Sequence, residues 1–327
     1  MTKVLVTGCA GFIGGNFVRL LLGKSFLNKN YSFSSLELDE VIGIDAMRIG
    51  SSDRLLNELS ENKKFKFYQY DICDRQLLKE VLDKHKPDMI VNFAAESHVD
   101  RSINSSDAFV HSNVLGTVNL LELCKERSLR YLQVSTDEVY GELGETGSFL
   151  ETTPLAPNSP YSASKAAADC FVRSFVHTHK LDAVITRCSN NFGPHQYPEK
   201  FIPVVVTNAL NNQKIPVYGS GLNVRDWLHV EDHCWGVFLA LTKGKTGEVY
   251  NFGGFGERNN LEVAHKIVDI LKKDKSLISF VEDRKGHDWR YSIDSSKAQH
   301  QLGWKPLWDF DEGLIHTVTW YRSKKEA

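Results

Sequence analysis

No run of apolar residues in this 327-residue chain approaches the roughly 18 to 20 that a helix needs to cross a bilayer, so a helical membrane protein is excluded. Nor is there a basic excess. The 39 Lys and Arg stand against 41 Asp and Glu, a net charge of −2, whereas a general nucleic-acid surface needs a positive balance. The six cysteines (Cys9, Cys73, Cys124, Cys170, Cys188, Cys234) lie far apart with no Cys-x-x-Cys pair, which argues against a disulfide framework and against a zinc ribbon. Several fall in apolar patterns, where buried free thiols are expected. Two histidine pairs, His229 with His233 and His177 with His179, lack the Glu or Cys companions that close a metal site, so no metal is expected. Met1 to Gly8 runs directly into a strand-like segment, without the apolar core and small-residue cleavage site of a signal peptide. Internal repeats and low-complexity tracts are missing as well. Together these absences point to a reduced, cytoplasmic protein with neither membrane nor nucleic acid as a partner.

What is present is an ordinary globular balance, 42% hydrophobic and 24% charged, on a chain long enough for about two domains. Short β-branched runs (3–7, 40–44, 65–69, 89–93, 131–135, 183–186) alternate with helical patterns (12–22, 76–84, 109–125, 161–179). That alternation predicts βαβ units and a parallel sheet: an α/β, Rossmann-type doubly wound fold over residues 1–189. After about Asn190 the spacing loosens around Pro194, Pro198, Pro203 and Pro216, which predicts a smaller, mixed α/β C-terminal substrate domain over residues 190–327. A helix at 230–241 and a strand at 248–252 suit the first domain, so the boundary is expected to be discontinuous, with about 230–255 rejoining it. Gly23 to Asp39 lacks periodicity and reads as a loop insertion.

Gly8, Gly11 and Gly14, in Thr7-Gly8-Cys9-Ala10-Gly11-Phe12-Ile13-Gly14, follow the first strand and open the first helix. Glycines at this spacing let the backbone turn tightly and approach a pyrophosphate, and the helix N-terminus offers its free N–H groups to the anion. Asp45 closes the second strand, where an acid hydrogen-bonds the adenine ribose. It lies 31 residues beyond Gly14 (45 − 14), and the insertion accounts for the extra length. A carboxylate there repels a 2′-phosphate and favours NAD over NADP, with Arg48 nearby as the one opposing charge. Asp71 and Ile72, after the third strand, suit either an adenine contact or a helix cap.

Asp137 and Glu138 sit where the fifth strand ends, in Ser135-Thr136-Asp137-Glu138-Val139-Tyr140-Gly141. Ligands of open α/β sheets bind at the carboxyl ends of the strands, and two adjacent acids there can divide acid and base work if their surroundings separate their pKa values. Taken alone, the pair also reads as a solvated turn. Tyr161 and Lys165 lie four residues apart on one helix face, behind the start signals Asn158, Ser159 and Pro160. An ammonium beside a phenol lowers the phenol pKa, which would make Tyr161 a base for a hydroxyl proton, and Lys165 also suits the nicotinamide ribose.

With these motifs the chain resembles the extended short-chain dehydrogenase/reductase family over nearly its whole length, and within it the nucleotide-sugar 4,6-dehydratases. The resemblance also rests on Ala94-Ala95-Glu96-Ser97-His98-Val99-Asp100-Arg101-Ser102, Cys188-Ser189-Asn190-Asn191-Phe192-Gly193-Pro194, Pro198-Glu199-Lys200, Arg225-Asp226-Trp227 and Gly286-His287-Asp288-Trp289-Arg290-Tyr291. It implies dehydration of a nucleotide-diphosphate glucose, dTDP-glucose first, to the 4-keto-6-deoxy sugar, with NAD tightly bound and recycled. By the same resemblance Tyr161 takes the 4-hydroxyl proton and Thr136 hydrogen-bonds that oxygen, while Glu138 takes the C5 proton and a protonated Asp137 expels the 6-hydroxyl. Ala94, Ala95, Ser97, Asn113 and Asn191 join the implied cofactor set of Gly8, Gly11, Phe12, Ile13, Gly14, Asp45, Asp71, Ile72, Tyr161 and Lys165. For the substrate it implies Ser97, Thr136 and Glu199 at the sugar, and Asn190 and Arg225 at the diphosphate. Lys200, Phe201, Pro216 and Tyr218 would frame the base, Asn260 would meet the ribose, and His287 and Arg290 would close the site.

The family is commonly dimeric through the helices at 109–125 and 161–179, so a homodimer is expected. The loop Ala46-Met47-Arg48-Ile49-Gly50-Ser51 departs from the family's Lys-Leu-Thr-Tyr-Ala-Gly-Asn-like run around the adenosine, and Cys9 replaces a frequent glycine. A nucleotide-sugar 4-epimerase would share the cofactor site but needs no acid/base pair for C5 and C6. A decarboxylase needs a cationic carboxylate pocket, which Asp137 and Glu138 disfavour. A catalytically silent dinucleotide-binding regulator has no use for Thr136, Tyr161 and Lys165 together. Both dTDP and UDP suit the Pro216/Tyr218 frame.

Overall fold

The computed structural model describes residues 2–29, 37–283 and 287–325. Its strands are β1 (Thr2–Thr7), β2 (Leu38–Ile44), β3 (Phe65–Tyr68), β4 (Met89–Asn92), β5 (Arg130–Thr136), β6 (Ala183–Cys188), β7 (Asn190–Phe192), β8 (Ile215–Tyr218), β9 (Val224–His229), β10 (Val249–Phe252), β11 (Glu257–Asn259) and β12 (Ile278–Val281). Seven of them form one sheet in the order β10-β6-β5-β4-β1-β2-β3, and every pairing in it is parallel. The chain winds outward one way through β1, β2 and β3, then crosses back to β4. The strand order therefore reverses between β1 and β4, where a crevice opens at the strand ends.

Parallel strands covered on both faces need apolar residues at consecutive positions. Val4, Leu5 and Val6 of β1 are all fully buried and alternate between two layers. Val4 and Val6 pack with Val41, Val91, Leu132 and Val184 against Phe17, Val18 and Leu20 of the helix Phe12–Leu21. The helix Val230–Lys243 joins that layer through Val237, Phe238 and Leu241. Leu5, Ile42, Ile90, Tyr131 and Ile185 face the other layer, built from the helices Arg75–His85, Gly116–Arg127 and Pro160–His179. The late segment thus supplies one helix to the first layer and one strand, β10, to the sheet edge.

The remaining elements make a smaller mixed unit. β9 pairs antiparallel with β11 and parallel with β7, while β8 pairs parallel with β12. The helices Phe201–Leu210, Asn260–Ile270 and Phe310–Lys325 share an apolar core with these strands around Phe192, Val205, Trp227, Ile267 and Leu314.

Two segments differ from the sequence expectation. The helix expected over 109–125 is a short α-turn at Asp107–Phe109, a π-turn at Val110–Leu115 and an α-helix at Gly116–Arg127. Such π-turns are frequent at functional sites, and this one holds the buried Asn113. The expected insertion at 23–39 begins as a 3₁₀ turn, Phe26–Lys29, while residues 30–36 lie outside the described residues. Its first part is docked: the Ser25 hydroxyl and the Phe26 N–H donate to Glu231 Oε1 at 2.8 and 2.9 Å, and Phe26 packs 5.0 Å from the Trp308 ring.

Candidate functional site

A cleft of about 330 Å³ opens at the β1/β4 reversal. Gly8, Gly11, Phe12, Ile13 and Gly14 form its floor. Gly8 has a φ of +65°, and a Cβ there would stand 2.7 Å from the Ala94 nitrogen. A Cβ on Gly14 would come within 2.2 Å of the Gly8 carbonyl oxygen, so helix and loop meet backbone to backbone. Gly11 caps the helix Phe12–Leu21 without a side-chain acceptor, which leaves the first-turn N–H groups for an anion.

Asp45 is buried at the cleft wall. Its Oδ2 accepts from the Ala10 N–H at 3.0 Å, and its Oδ1 accepts from the Met47 N–H and the Ser51 hydroxyl at 2.8 Å each. Two carboxylate oxygens have about four lone-pair sites, so a fixed Asp45 retains capacity for a ribose hydroxyl. Arg48 lines the cleft, but its charge is engaged by neighbouring carboxylates. Its guanidinium pairs with Asp71, donates to the Ser112 hydroxyl at 3.3 Å and lies 3.8 Å from Glu96. This cradle suits NAD: an uncapped helix end for the pyrophosphate, no room for a Cβ at the glycines, and a carboxylate for the ribose.

Asp71 and Ile72 also line the cleft. Asp71 is not the cap of the next helix, because Asp74 holds that position by accepting from the Leu77 N–H at 3.1 Å. Asp71, Cys73 and His111 bring one potential metal-ligand atom each within 4.8 Å of one another. Arg48 occupies Asp71, however, and burial together with Asp71 pushes the Cys73 thiol up to about 12, away from the thiolate a metal requires. Of the expected pair at 229 and 233, His229 accepts from the Glu231 N–H and His233 meets the Asn191 side-chain oxygen at 2.9 Å.

Ala94, Ala95 and Ser97 also line the cleft. Asn113 does not. Its amide holds the loop from behind, accepting from the Glu96 N–H at 2.8 Å and donating to the Glu96 carbonyl and the Ser164 hydroxyl at 3.0 and 2.8 Å. It thereby fixes the loop that carries Ala94, Ala95 and Ser97. Asn191 lines the cleft with its side chain shared between Ser189 and His233.

The reacting end gathers Thr136, Asp137, Glu138, Tyr161 and Lys165 on one wall. Tyr161 and Lys165 come from the first turns of Pro160–His179, whose start is fixed by a reciprocal Ser159/Ser162 capping box with Pro160 at the first position. Thr136 ends β5 and caps the 3₁₀ turn Asp137–Tyr140, its hydroxyl oxygen accepting from the Glu138 N–H at 3.3 Å. The structure corrects the expected effect of Lys165 on Tyr161. The Lys165 ammonium donates to the Val134 carbonyl at 2.7 Å, and burial lowers its own pKa. The Tyr161 phenol is pushed well up instead, by burial first and then by Glu138, Cys188 and Asp137, with a Thr136 hydrogen bond opposing.

The two acids are unequal. Asp137 is 2% exposed, and burial, then Glu138 and then Asp226 raise its pKa well above the ordinary carboxylate range. These causes all favour its neutral carboxylic acid form. Its Oδ2 has no hydrogen-bond partner among the described residues, while Oδ1 accepts from the Thr136 hydroxyl at 3.3 Å. Glu138 is half-buried beside it. Different burial of adjacent carboxyls is the arrangement that assigns one as acid and the other as base.

Ser97, Asn190, Glu199 and Lys200 line the cleft as well. The Lys200 ammonium donates to the Ser97 carbonyl at 3.1 Å, and Glu199 pairs with Arg101 and with His98 at 3.1 Å. The structure does not bring Phe201, Pro216, Tyr218, Arg225, Asn260, His287 or Arg290 to the cleft wall. Phe201 opens the helix Phe201–Leu210 beside Trp227, Pro216 and an exposed Tyr218 lie on β8, and Asn260 opens the helix Asn260–Ile270. Arg225 is buried, stacked 4.5 Å from the Tyr291 ring, and donates to the Val224, Asp288 and Trp289 carbonyls. Arg290 grips Glu257 with two bonds of 2.7 Å and donates to the Gly144 and Gly147 carbonyls. His287 lies 2.7 Å from Asp283.

Residues given no role from sequence also line the site: His98, Arg101, Ser135, Cys188, Gln196 and Tyr197. Asp226, outside the wall, is held by the Gly254 and Gly256 N–H groups at 3.0 and 2.9 Å, and burial pushes it up to about 6. The signal for Arg101 was its opposite charge to Glu199; Asp226 gave none, because its donors are backbone groups about thirty residues away.

A family model described as GDP-mannose 4,6 dehydratase matches residues 5–317. A dTDP-glucose 4,6-dehydratase from Xanthomonas campestris pv. campestris is 47% identical over 340 residues, covering 98% of this chain and 93% of the relative. The crystal structure of dTDP-glucose 4,6-dehydratase from Bacillus anthracis in complex with NAD is similar with a TM-score of 0.90 and 45% identity, covering 100% of this chain and 98% of that one. The enzyme of the same name from Streptomyces venezuelae, with NAD bound, gives a TM-score of 0.93 at 44% identity, covering 99% and 98%. On sequence and fold alike, the chain belongs to the GDP-mannose 4,6-dehydratase family, within the extended short-chain dehydrogenase/reductases.

Proposed function

We infer that the chain is an NAD-dependent lyase that converts dTDP-glucose to the 4-keto-6-deoxy sugar. The observation that carries this reading is the buried Asp137, its pKa raised by that burial, beside half-buried Glu138 and in the same cleft as Tyr161. Oxidation at C4 alone, as in an epimerase, has no use for that pair. The family model takes its description from GDP-mannose, and the dTDP-glucose assignment rests on the relatives at 44–47% identity.

Bound NAD supplies a hydride acceptor for C4 and the hydride later returned to C6, and it ends the cycle oxidised. Tyr161 Oη takes the O4 proton, and the Thr136 hydroxyl steadies the same oxygen. The C4 ketone acidifies the C5–H bond, and Glu138 removes that proton. Asp137, whose burial favours the neutral acid, gives its proton to O6, which leaves as water. Glu138 then returns a proton to C5. Gly8, Gly11, Phe12, Ile13, Gly14 and Asp45 hold the cofactor's pyrophosphate and ribose, Asp71 and Ile72 the adenine, and Lys165 the nicotinamide ribose.

Ser97, Asn190 and Glu199 are assigned to the sugar and diphosphate, with Arg101 and His98 orienting Glu199. Lys200, Phe201, Pro216, Tyr218 and Asn260 receive the nucleotide beyond the cleft. Arg225 and Arg290 support the site from behind rather than touching substrate, as their internal partners indicate. The NAD-binding domain comprises residues 1–189 and about 230–255, and the remainder of 190–327 is the substrate domain. Ile103, Val110, Leu115 and Phe171 are exposed on helices of one layer, which supports a homodimer formed there. Six free thiols suit a cytoplasmic enzyme.

Incubation of the purified protein with dTDP-glucose or UDP-glucose, read by mass, tests the assignment. Loss of one water from dTDP-glucose is expected. An unchanged mass with inverted C4 overturns it in favour of epimerisation.

A further inference from the structure

The dehydration reading leaves a proton imbalance at the end of each cycle, and the inference that follows rests on that reading. O4 loses its proton to Tyr161, and O6 leaves as water with a proton from Asp137. The C5 proton goes to Glu138 and back, and the hydride leaving C4 arrives at C6, so those exchanges cancel. One turnover therefore ends with one proton more on Tyr161 and one fewer on Asp137. The next turnover needs the reverse, yet Tyr161 and Asp137 are only 9% and 2% exposed.

We propose that the Thr136 hydroxyl carries this proton, accepting it from Tyr161 Oη and donating to Asp137 Oδ1, so that the proton taken from O4 supplies the one that leaves with O6. The hydroxyl already points the required way, donating to Asp137 Oδ1 at 3.3 Å. Its oxygen is fixed by the Glu138 N–H at 3.3 Å and lies within hydrogen-bonding reach of Tyr161. A hydroxyl donates one hydrogen bond and accepts two, so it can serve both neighbours at once. In the transfer the Tyr161 O–H bond breaks as a Thr136 O–H bond forms, and the original Thr136 O–H bond breaks as Asp137 gains its proton. Thr136 ends neutral, and the charge moves from Asp137 to Tyr161. The second Asp137 oxygen, Oδ2, has no hydrogen-bond partner among the described residues and faces O6, and a half-turn of the carboxyl about Cβ–Cγ brings the newly protonated oxygen to that side for the next turnover. The Asp137 charge is one of the groups that raise the proton affinity of Tyr161, so filling Asp137 eases the emptying of Tyr161.

This gives Thr136 a second task beyond steadying O4, and rapid-quench kinetics separate the two. The holoenzyme, Thr136→Val (isosteric, without the hydroxyl) and Thr136→Ser (hydroxyl kept) are compared after confirming that each retains NAD and a native circular dichroism spectrum. Thr136→Val is expected to form one product per site in a first phase, then to turn over about 10²-fold more slowly, within the range of proton-transfer effects. That slow phase should rise with the concentration of a small buffer such as imidazole, at fixed pH and ionic strength. The wild type and Thr136→Ser should show neither burst nor buffer dependence. If Thr136→Val slows first and later turnovers by the same factor without buffer rescue, Thr136 only positions O4 and the relay is overturned. Buffer dependence in the wild type also overturns it, since the proton then comes from solvent. Failure of the wild type to release any dehydrated product is a different result, and it removes the underlying dehydratase reading.

Discussion

Replacing Asp137 with Asn isolates the acid half of the chemistry. The side chain is 2% exposed, and burial with Glu138 and Asp226 nearby raises its pKa and favours the protonated form. An Asn therefore matches its resting charge, nearly matches its volume, and still presents an oxygen to the Thr136 hydroxyl. What is lost is the acidic proton. General acid catalysis contributes about 10²–10⁴-fold, or roughly 2.7 to 5.4 kcal/mol of barrier, and the loss should fall on elimination alone. In single-turnover experiments the variant should oxidise C4, visible as absorbance of the reduced nicotinamide, and exchange C5–H with deuterated water. Release of water should fall by that factor. The pH dependence follows from the raised pKa: Asp137 is the active acid below its folded value, so wild-type elimination is lost as pH rises through it, and the Asn variant lacks that alkaline limb. Elimination within about threefold of wild type, with the alkaline limb intact, would refute Asp137 as the acid.

Other substitutions probe neighbouring parts of the account. Glu138→Gln should slow C5 deuterium exchange by about 10²–10⁴-fold while C4 oxidation stays comparatively intact; equal loss of both steps contradicts its role as base. Gly14→Ala drives a Cβ to 2.2 Å from the Gly8 oxygen, with backbone on both sides. Overpacking of about 1–3 kcal/mol should loosen the glycine loop, and purified protein should carry less NAD, as read by its absorbance after denaturation. Arg48→Ala removes half-exposed ion pairs worth about 0–1 kcal/mol, so the NAD dissociation constant should rise by less than about fivefold. Asp232 is fully buried, accepts from the Leu307 and Trp308 N–H groups, and is pushed up to about 7 by burial. Its neutral form is favoured in the fold, so stability is lost as pH rises from the ordinary Asp range to about 7. About three units correspond to an order of 4 kcal/mol, and denaturant midpoints of Asp232→Asn against wild type should diverge over that window.

The local part of this structure was legible in the sequence, and the non-local part was not. Strands such as β1 and β6 announce themselves as consecutive apolar residues because both faces are covered. The glycine loop, Asp45 and the Tyr161/Lys165 helix face followed from spacing, since each is fixed by a single element or a single strand–helix junction. The π-turn at Val110–Leu115 was hidden, because helical and π periodicity differ too little over six residues. Arg225 and Arg290 were assigned to the substrate by the family resemblance alone. In the structure they meet carbonyls, an aromatic ring and Glu257, some of them more than sixty residues away, which spacing does not reveal. The Tyr161 phenol was misread for the same reason: a Lys four residues on is visible in sequence, but the burial and carboxylates that outweigh it come from β5 and the turn after it.

The central claim is that one hydride leaves C4 and returns to C6 of the same sugar while the acid pair removes water between. Turnover of dTDP-glucose deuterated at C4, without added NAD, tests it most directly. The account predicts a dehydrated product that keeps the deuterium, now in the C6 methyl group, as read by mass and deuterium resonance. A product with the label still at C4, or one that has lost its label, would contradict it.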